Sequence, residues 1–341
     1  MGDYGRVWNF GDGGRCDECG GETMHWYIPG TYTVELTDAF GSGDTHSVSK
    51  SVTVAGNGLA VMPTPRSDLA AGTVNGVIYA IGGTSRYTLL GTVEAYDPGT
   101  NTWTSKAPMP TPRQPLAVAQ VNGVIYELGG SGTVEAFDPA TNTWTTKAPM
   151  PTPRFGFAVA AANGMIYAVG GTIVENRGDR LTGTVEAYDP MTNTWTSKVP
   201  MPTPRRNLAV AQVNGVIYAV GGYVGGPVTG TVEAYDPVTN TWTSKAPLPT
   251  PRQSLGVAQV NGVLYAIGGS GEIGNVEGTE AYDPVTNSWT TRAPMPWPRW
   301  RLAVAQVNGL IYAIGGRVWG GGRESDVGYV ERYNPVTDTW R

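Results

Sequence analysis

The sequence predicts an all-β protein, a six-bladed β-propeller (residues 58–341) preceded by a truncated β-sandwich fragment (residues 1–57). Three observations predict it. Gly-Gly pairs begin at Gly82, Gly129, Gly170, Gly221, Gly268 and Gly315, at intervals of 47, 41, 51, 47 and 47 residues. Each closes a run such as "VNGVIYAIGG", and each is followed by "TVEAYDPVTNTW" or a variant ending at Trp103, Trp144, Trp195, Trp242, Trp289 or Trp340. Finally, 48 glycines and 26 prolines in 341 residues, with no apolar stripe at helical spacing, describe a chain dense in turns. Self-similarity at such a period marks stacked supersecondary units.

Each unit reads as four short strands. "LAVAQV" alternates in size and polarity, and Asn122-Gly123 and its five equivalents make the two-residue type I′ turn that returns the chain as "VIYAIGG". "TVEAYD" alternates again. "DPVTN" sets a proline-led turn, and "TWTSKAP" leaves as a threonine-rich strand. One such sheet cannot bury both faces, whereas six packed radially around an axis can. Leu116, Val118, Gln120 and their equivalents are expected to face that axis and line a narrow, mainly apolar channel.

Gly-Gly after an apolar strand, a Tyr later in the unit, then a Trp six or seven residues further on, resembles the Kelch repeat, over about residues 59–341. Between the second glycine and the glutamate of "VEAYD" (Glu94, Glu135, Glu186, Glu233, Glu280, Glu331) lie 10, 4, 14, 10, 10 and 14 residues, so length varies in one connection only. In a propeller these loops share a face with the interblade "PMPTPR" segments. Insertions confined to one face often mark the binding face.

The amino-terminal stretch resembles the PKD domain, an immunoglobulin-like sandwich, through Trp8, Phe10, Gly11, Asp12 and Gly13, then Pro29, Gly30, Tyr32, Val34 and Leu36. That resemblance implies an extracellular or cell-surface location. Both ends are expected to be truncations of a longer gene product. Cys16 and Cys19 are spaced as in redox or zinc sites, but one pair with His25 is not a four-ligand set, and a local disulfide or idle thiols are favoured over metal.

A net charge of −5 without basic runs gives no footprint for nucleic acid, and no apolar run reaches membrane-spanning length. No cofactor is expected. Kelch oxidases that resemble galactose oxidase need histidine, tyrosine and a cysteine-linked tyrosine around copper, and the propeller region contains neither Cys nor His. Loop carboxylates Glu175, Asp179, Glu272, Glu277, Glu324 and Asp326 keep acid–base chemistry open.

Arg66, Arg113, Arg154, Arg205, Arg252 and Arg299 recur once per unit. A ligand without six-fold symmetry would not need all of them, so a shared architectural duty is favoured, such as hydrogen bonding to carbonyls of the adjoining blade. Asymmetry is the better guide to function. The three tryptophans outside the repeat pattern of the propeller, Trp297, Trp300 and Trp319, all fall in the sixth unit, near Arg299, Arg301, Arg317 and Arg323. Asp68, Arg86 and Tyr87 of the first unit lie across the seam, and Arg206 diverges from its equivalents in the fourth. Trp with Arg is the composition of binding hot spots. The expectation is a non-catalytic module that binds a protein or glycan at this face. The alternatives are a sugar-acting enzyme of the Kelch mutarotase type and a structural element of a surface layer.

Overall fold

The computed structural model describes residues 5–9, 15–17, 30–39, 45–54, 57–114, 116–175, 178–320 and 323–341. The chain divides into two compact units, Met1–Leu59 with Trp319–Ser325, and Ala60–Val318 with Asp326–Arg341. Trp319 and its loop thus belong to the first unit. The second holds six four-stranded antiparallel sheets, and no described residue is helical. Blade one runs Ala70–Val74, Val77–Ile81, Val93–Asp97, Thr102–Lys106, each strand pairing with the next.

The innermost strands, Ala70–Val74, Leu116–Val121, Ala158–Ala162, Ala209–Val213, Gly256–Val260 and Ala303–Val307, each neighbour the next, and the last neighbours the first. The ring therefore closes. In the type I′ turns, Asn75, Asn122, Asn163, Asn214, Asn261 and Asn308 all take φ near +50°, a region that asparagine tolerates.

Period-two alternation divides each inner strand. Ala258 and Val260 are buried between blades five and six, whereas Val257, half-buried, packs against the core between blades four and five. The Leu position does not line a channel, because Leu208, Leu255 and Leu302 are buried within the interblade cores. These leucines precede the strand, where the chain has yet to settle into the pleat. The second glycine makes room for them, since a Cβ on Gly222 would lie 3.2 Å from the Cβ of Leu208.

Each seam has a polar outer rivet. Asn101, at φ +55°, accepts from the Tyr96 hydroxyl (2.8 Å) and from the backbone N–H of Ala60 (2.8 Å), while the Trp103 indole donates to the Ala60 carbonyl (2.9 Å). Trp195 and Trp242 donate likewise to Ala148 and Val199. The "TNTW" motif thus fastens each blade to the segment that leads into it.

Within the first unit, Arg15–Asp17, Gly5–Asn9, Gly30–Ala39 and Thr45–Val54 form one antiparallel sheet in that order. No second sheet of a sandwich lies among the described residues, so the PKD resemblance is not established. Cys19, His25 and the Phe10–Gly13 motif lie outside the described residues.

Candidate functional site

The repeat arginines are structural. Arg66, Arg154, Arg205, Arg252 and Arg299 are completely buried. Arg154 donates from Nε to the Gly170 carbonyl (2.9 Å), from Nη1 to the Thr152 carbonyl (2.8 Å) and from Nη2 to the Ala168 carbonyl (3.0 Å), and pairs with Glu186. These carbonyls belong to the arginine's own blade, not the adjoining one. The link to the neighbour runs through the backbone instead, where Gly171 of blade three donates to the Arg205 carbonyl of blade four (2.8 Å). Burial pulls each of these guanidinium pKa values down where a shift is resolved, and the paired glutamate opposes it. Arg299, pairing with Glu331 in the same way, leaves the candidate site.

Immediately after each arginine the chain turns over the channel mouth. Asp68, Asn207, Ser254 and Arg301 take φ of 53°, 54°, 52° and 54°, with Gly156 at 64°. Left-handed backbone at four non-glycine residues is uncommon. Backbone hydrogen bonds around the mouth hold it there: Asn207 donates to Gly156 (2.7 Å), Ser254 to Asn207 (2.8 Å), Arg301 to Ser254 (3.1 Å) and Asp68 to Arg301 (3.0 Å). These bonds run in succession from blade three through blades four, five and six to blade one.

At the seam of blades six and one the circle is charged. The Arg301 guanidinium pairs with the Asp68 carboxylate (2.9 Å) and lies over the Trp300 ring at 4.4 Å. Arg317 pairs with Asp326 (2.9 Å), whose second oxygen accepts from the Arg86 backbone N–H (3.0 Å). Burial pushes the Asp68 carboxyl above its usual range, opposed by Arg301 and Arg317 and reinforced by Asp326. The structure therefore brings Asp68, Trp300, Arg301 and Arg317 together, with the backbone of Arg86.

Other predicted residues are placed elsewhere. Trp297 stacks obliquely on Tyr329, with ring centroids 5.7 Å apart. Tyr87 stands 90% exposed at a loop tip, and Trp319 is 62% exposed in the other unit. The Arg323 side chain lies outside the described residues. In blade four Arg206 lies over Tyr223 at 4.9 Å, its Nε buried without a hydrogen-bond partner. Arg206 has no carboxylate partner among the described residues.

Sequence spacing alone misses Tyr223, whose pairing with Arg206 follows from the strand bridges. The residue after each arginine bridges, in five blades, to the residue after Gly-Gly: Ser67 to Thr84, Phe155 to Thr172, Arg206 to Tyr223, Gln253 to Ser270, Trp300 to Arg317. Blades four and six thus each set an arginine and an aromatic residue at the two bridged positions, in opposite order.

A closed ring of six four-stranded antiparallel blades defines a β-propeller. The KLHDC2/KLHL20/DRC7 Kelch-repeats domain matches residues 136–316 and the Kelch motif matches 65–110, 112–151 and 298–341. The chain belongs to the Kelch-repeat family. It is similar to Kelch-like ECH-associated protein 1A of Danio rerio (49% identity over 41 residues, 12% of this chain) and to Kelch-like protein 1 of Mus musculus (46% over 50 residues, 15% of this chain). Each match spans 7% of the relative's own length. Among solved structures, YjhT shares the fold with a TM-score of 0.71 at 18% identity, covering 83% of this chain and 99% of its own.

That last likeness corrects one expectation. At 18% identity the likeness is one of fold, and a fold does not decide between binding and catalysis, so the assignment of this propeller as non-catalytic does not stand.

Proposed function

We propose that the chain is a sugar-acting enzyme of the mutarotase type, working at the mouth between blades six, one and four. The observation that carries this reading is the Asp68 carboxylate, held at the mouth by Arg301 and raised by burial toward the range useful for proton transfer. Interconversion of anomers needs little more. Asp68 accepts the proton of the anomeric hydroxyl, the bond from the anomeric carbon to the ring oxygen breaks, and the proton passes to that oxygen. The open-chain carbonyl rotates and the ring closes on its other face. Arg301 offsets negative charge developing on the ring oxygen.

Arg206 supplies the anchor. In the six-fold circle its neighbour Asn207 stands opposite Asp68, and mouth residues linked by hydrogen bonds at roughly 5 Å spacing place opposite positions roughly 10 Å apart. An unpaired guanidinium stacked on Tyr223 suits a carboxylate carried on the sugar. The test is to measure anomer exchange by NMR for neutral and carboxylated sugars. Acceleration of the carboxylated sugars, with a raised KM in Arg206→Ala, supports the reading, whereas no acceleration of any sugar sinks it.

A protein ligand on the same face is the second reading. It is favoured by Tyr87 and Phe155, 90% and 41% exposed around this rim, and by the protein-binding habit of Kelch propellers.

A further inference from the structure

Blade two departs from the repeat at one buried position. Its second strand reads "VIYELG" and places Glu127 where the other blades have Ala80, Ala168, Ala219, Ala266 and Ala313. Glu127 is fully buried and lies opposite Glu135 in the strand register. It shares a strand face with Ile125, which packs against blade one.

The substitution rearranges the arginine. In the other five blades the guanidinium donates to the carbonyl of that alanine, at 3.0–3.3 Å. In blade two, Arg113 Nη2 instead meets both carboxylates, Glu135 and Glu127, the latter at 2.6 Å. Arg113 Nε and Nη1 and Glu127 Oε1 are buried without hydrogen-bond partners. Two carboxylates therefore share one guanidinium in a place that water does not reach. The blade-one residues packed there are Val74, Tyr79, Ile81, Val93, Ala95 and Met109. Tyr79 is the one titratable group among them, and burial raises its hydroxyl above the ordinary range.

The backbone of the same seam is tied less firmly than at four of the other seams. Gly83 donates to the Arg113 carbonyl at 3.4 Å, against 2.8–3.0 Å for the bonds to Arg205, Arg252, Arg299 and Arg66. Gln114 is absent from the backbone bridges that the other five blades make at this position among the described residues, and reaches blade one through its side chain alone, whose Oε1 accepts from the Thr84 hydroxyl. Residue 115 is a proline, which has no N–H to donate to the circle around the mouth.

We propose that the Arg113–Glu127–Glu135 cluster is a proton-operated catch on the seam between blades one and two, closed when Glu127 carries a proton and loosened when it ionises. An ionised Glu127 would leave a net negative charge buried against apolar blade-one residues. Burial pushes Glu127 up to about 8, opposed by Arg113 and reinforced by Glu135. Because this value lies above that of the unfolded chain, the stabilising proton is fully in place at acid pH. Its contribution is lost progressively as pH rises from the ordinary carboxylate range through about 8.

The test compares the full chain with Glu127→Gln and with Glu127→Ala, the residue that the other blades already use. Melting temperature is followed between about pH 5 and 9, alongside hydrogen exchange at the Gly83 amide corrected for intrinsic rate. The expected result is a wild-type melting temperature that falls with pH relative to both variants. Gly83 protection should drop about tenfold above pH 8 in the wild type only. Parallel melting curves in wild type and variants, or Gly83 protection independent of pH, would overturn the proposal.

Discussion

Asp68 and Arg301 are joined twice: the backbone N–H of Asp68 donates to the Arg301 carbonyl (3.0 Å), and the Arg301 guanidinium returns to the Asp68 carboxylate (2.9 Å). One contact closes the ring between blade six and blade one. The other sets the chemistry of the mouth, because a half-buried carboxylate with a cation beside it stays available as a base at lower pH than one left alone.

Replacing Arg301 with Gln should therefore act on pH before it acts on stability. Without the guanidinium, burial pushes Asp68 up with less opposition, so the acid limb of any rate profile moves to higher pH. The pair is only partly buried, and its loss should cost on the order of 1 kcal/mol of stability. A rate profile and a denaturant titration of the same variant separate the two effects. An unmoved acid limb would remove Asp68 as the titrating group.

The buried staples behave differently. Arg252 is wholly enclosed and paired with Glu280, with further bonds to the Gly278 and Ala266 carbonyls. Arg252→Ala removes the cation from a buried carboxylate, whose Oε1 keeps only the Thr250 hydroxyl, and the donor from two carbonyls, and the expected loss is about 3–5 kcal/mol in chemical denaturation. A loss below about 1 kcal/mol would show that the site admits water.

The outer rivets should be modest and repeatable. Trp242→Phe keeps most of the ring packed on Tyr235 but deletes the hydrogen bond to the Val199 carbonyl (3.0 Å). The expected loss is about 1 kcal/mol. Trp195→Phe, which deletes the equivalent bond to Ala148, should match it, and equal losses measured by thermal denaturation would verify that the seams are equivalent.

Much of this architecture is legible in the sequence because it is written several times. Six Asn-Gly turns fix the first hairpin of each blade, and the repetition of Arg113 and its equivalents argues for architecture before any contact is seen. What stayed hidden are partners that lie far apart in the chain. Asn101 looks like a turn residue, yet its carboxamide oxygen accepts from Ala60, 41 residues earlier. Tyr223 is unremarkable until the bridge to Arg206 places the two side chains together. The leucine of "LAVAQV" was expected at the axis because the alternation was extended one residue past the start of the strand, whereas packing beneath the paired glycines turns it into the core. The tryptophan excess in the sixth unit was visible, but the unit that holds Trp319 differs from the one that holds Trp300, and residue spacing carries no trace of that division.

The most direct test is anomer exchange in the full chain with Asp68→Asn, which keeps the shape of the side chain and a residue type that tolerates positive φ. Exchange of a carboxylated sugar is followed by NMR, with a melting curve on the same sample. The account predicts a wild type that accelerates exchange and a folded variant that has lost roughly a hundredfold of that acceleration or more. A folded Asp68→Asn variant that retains the wild-type rate would contradict it.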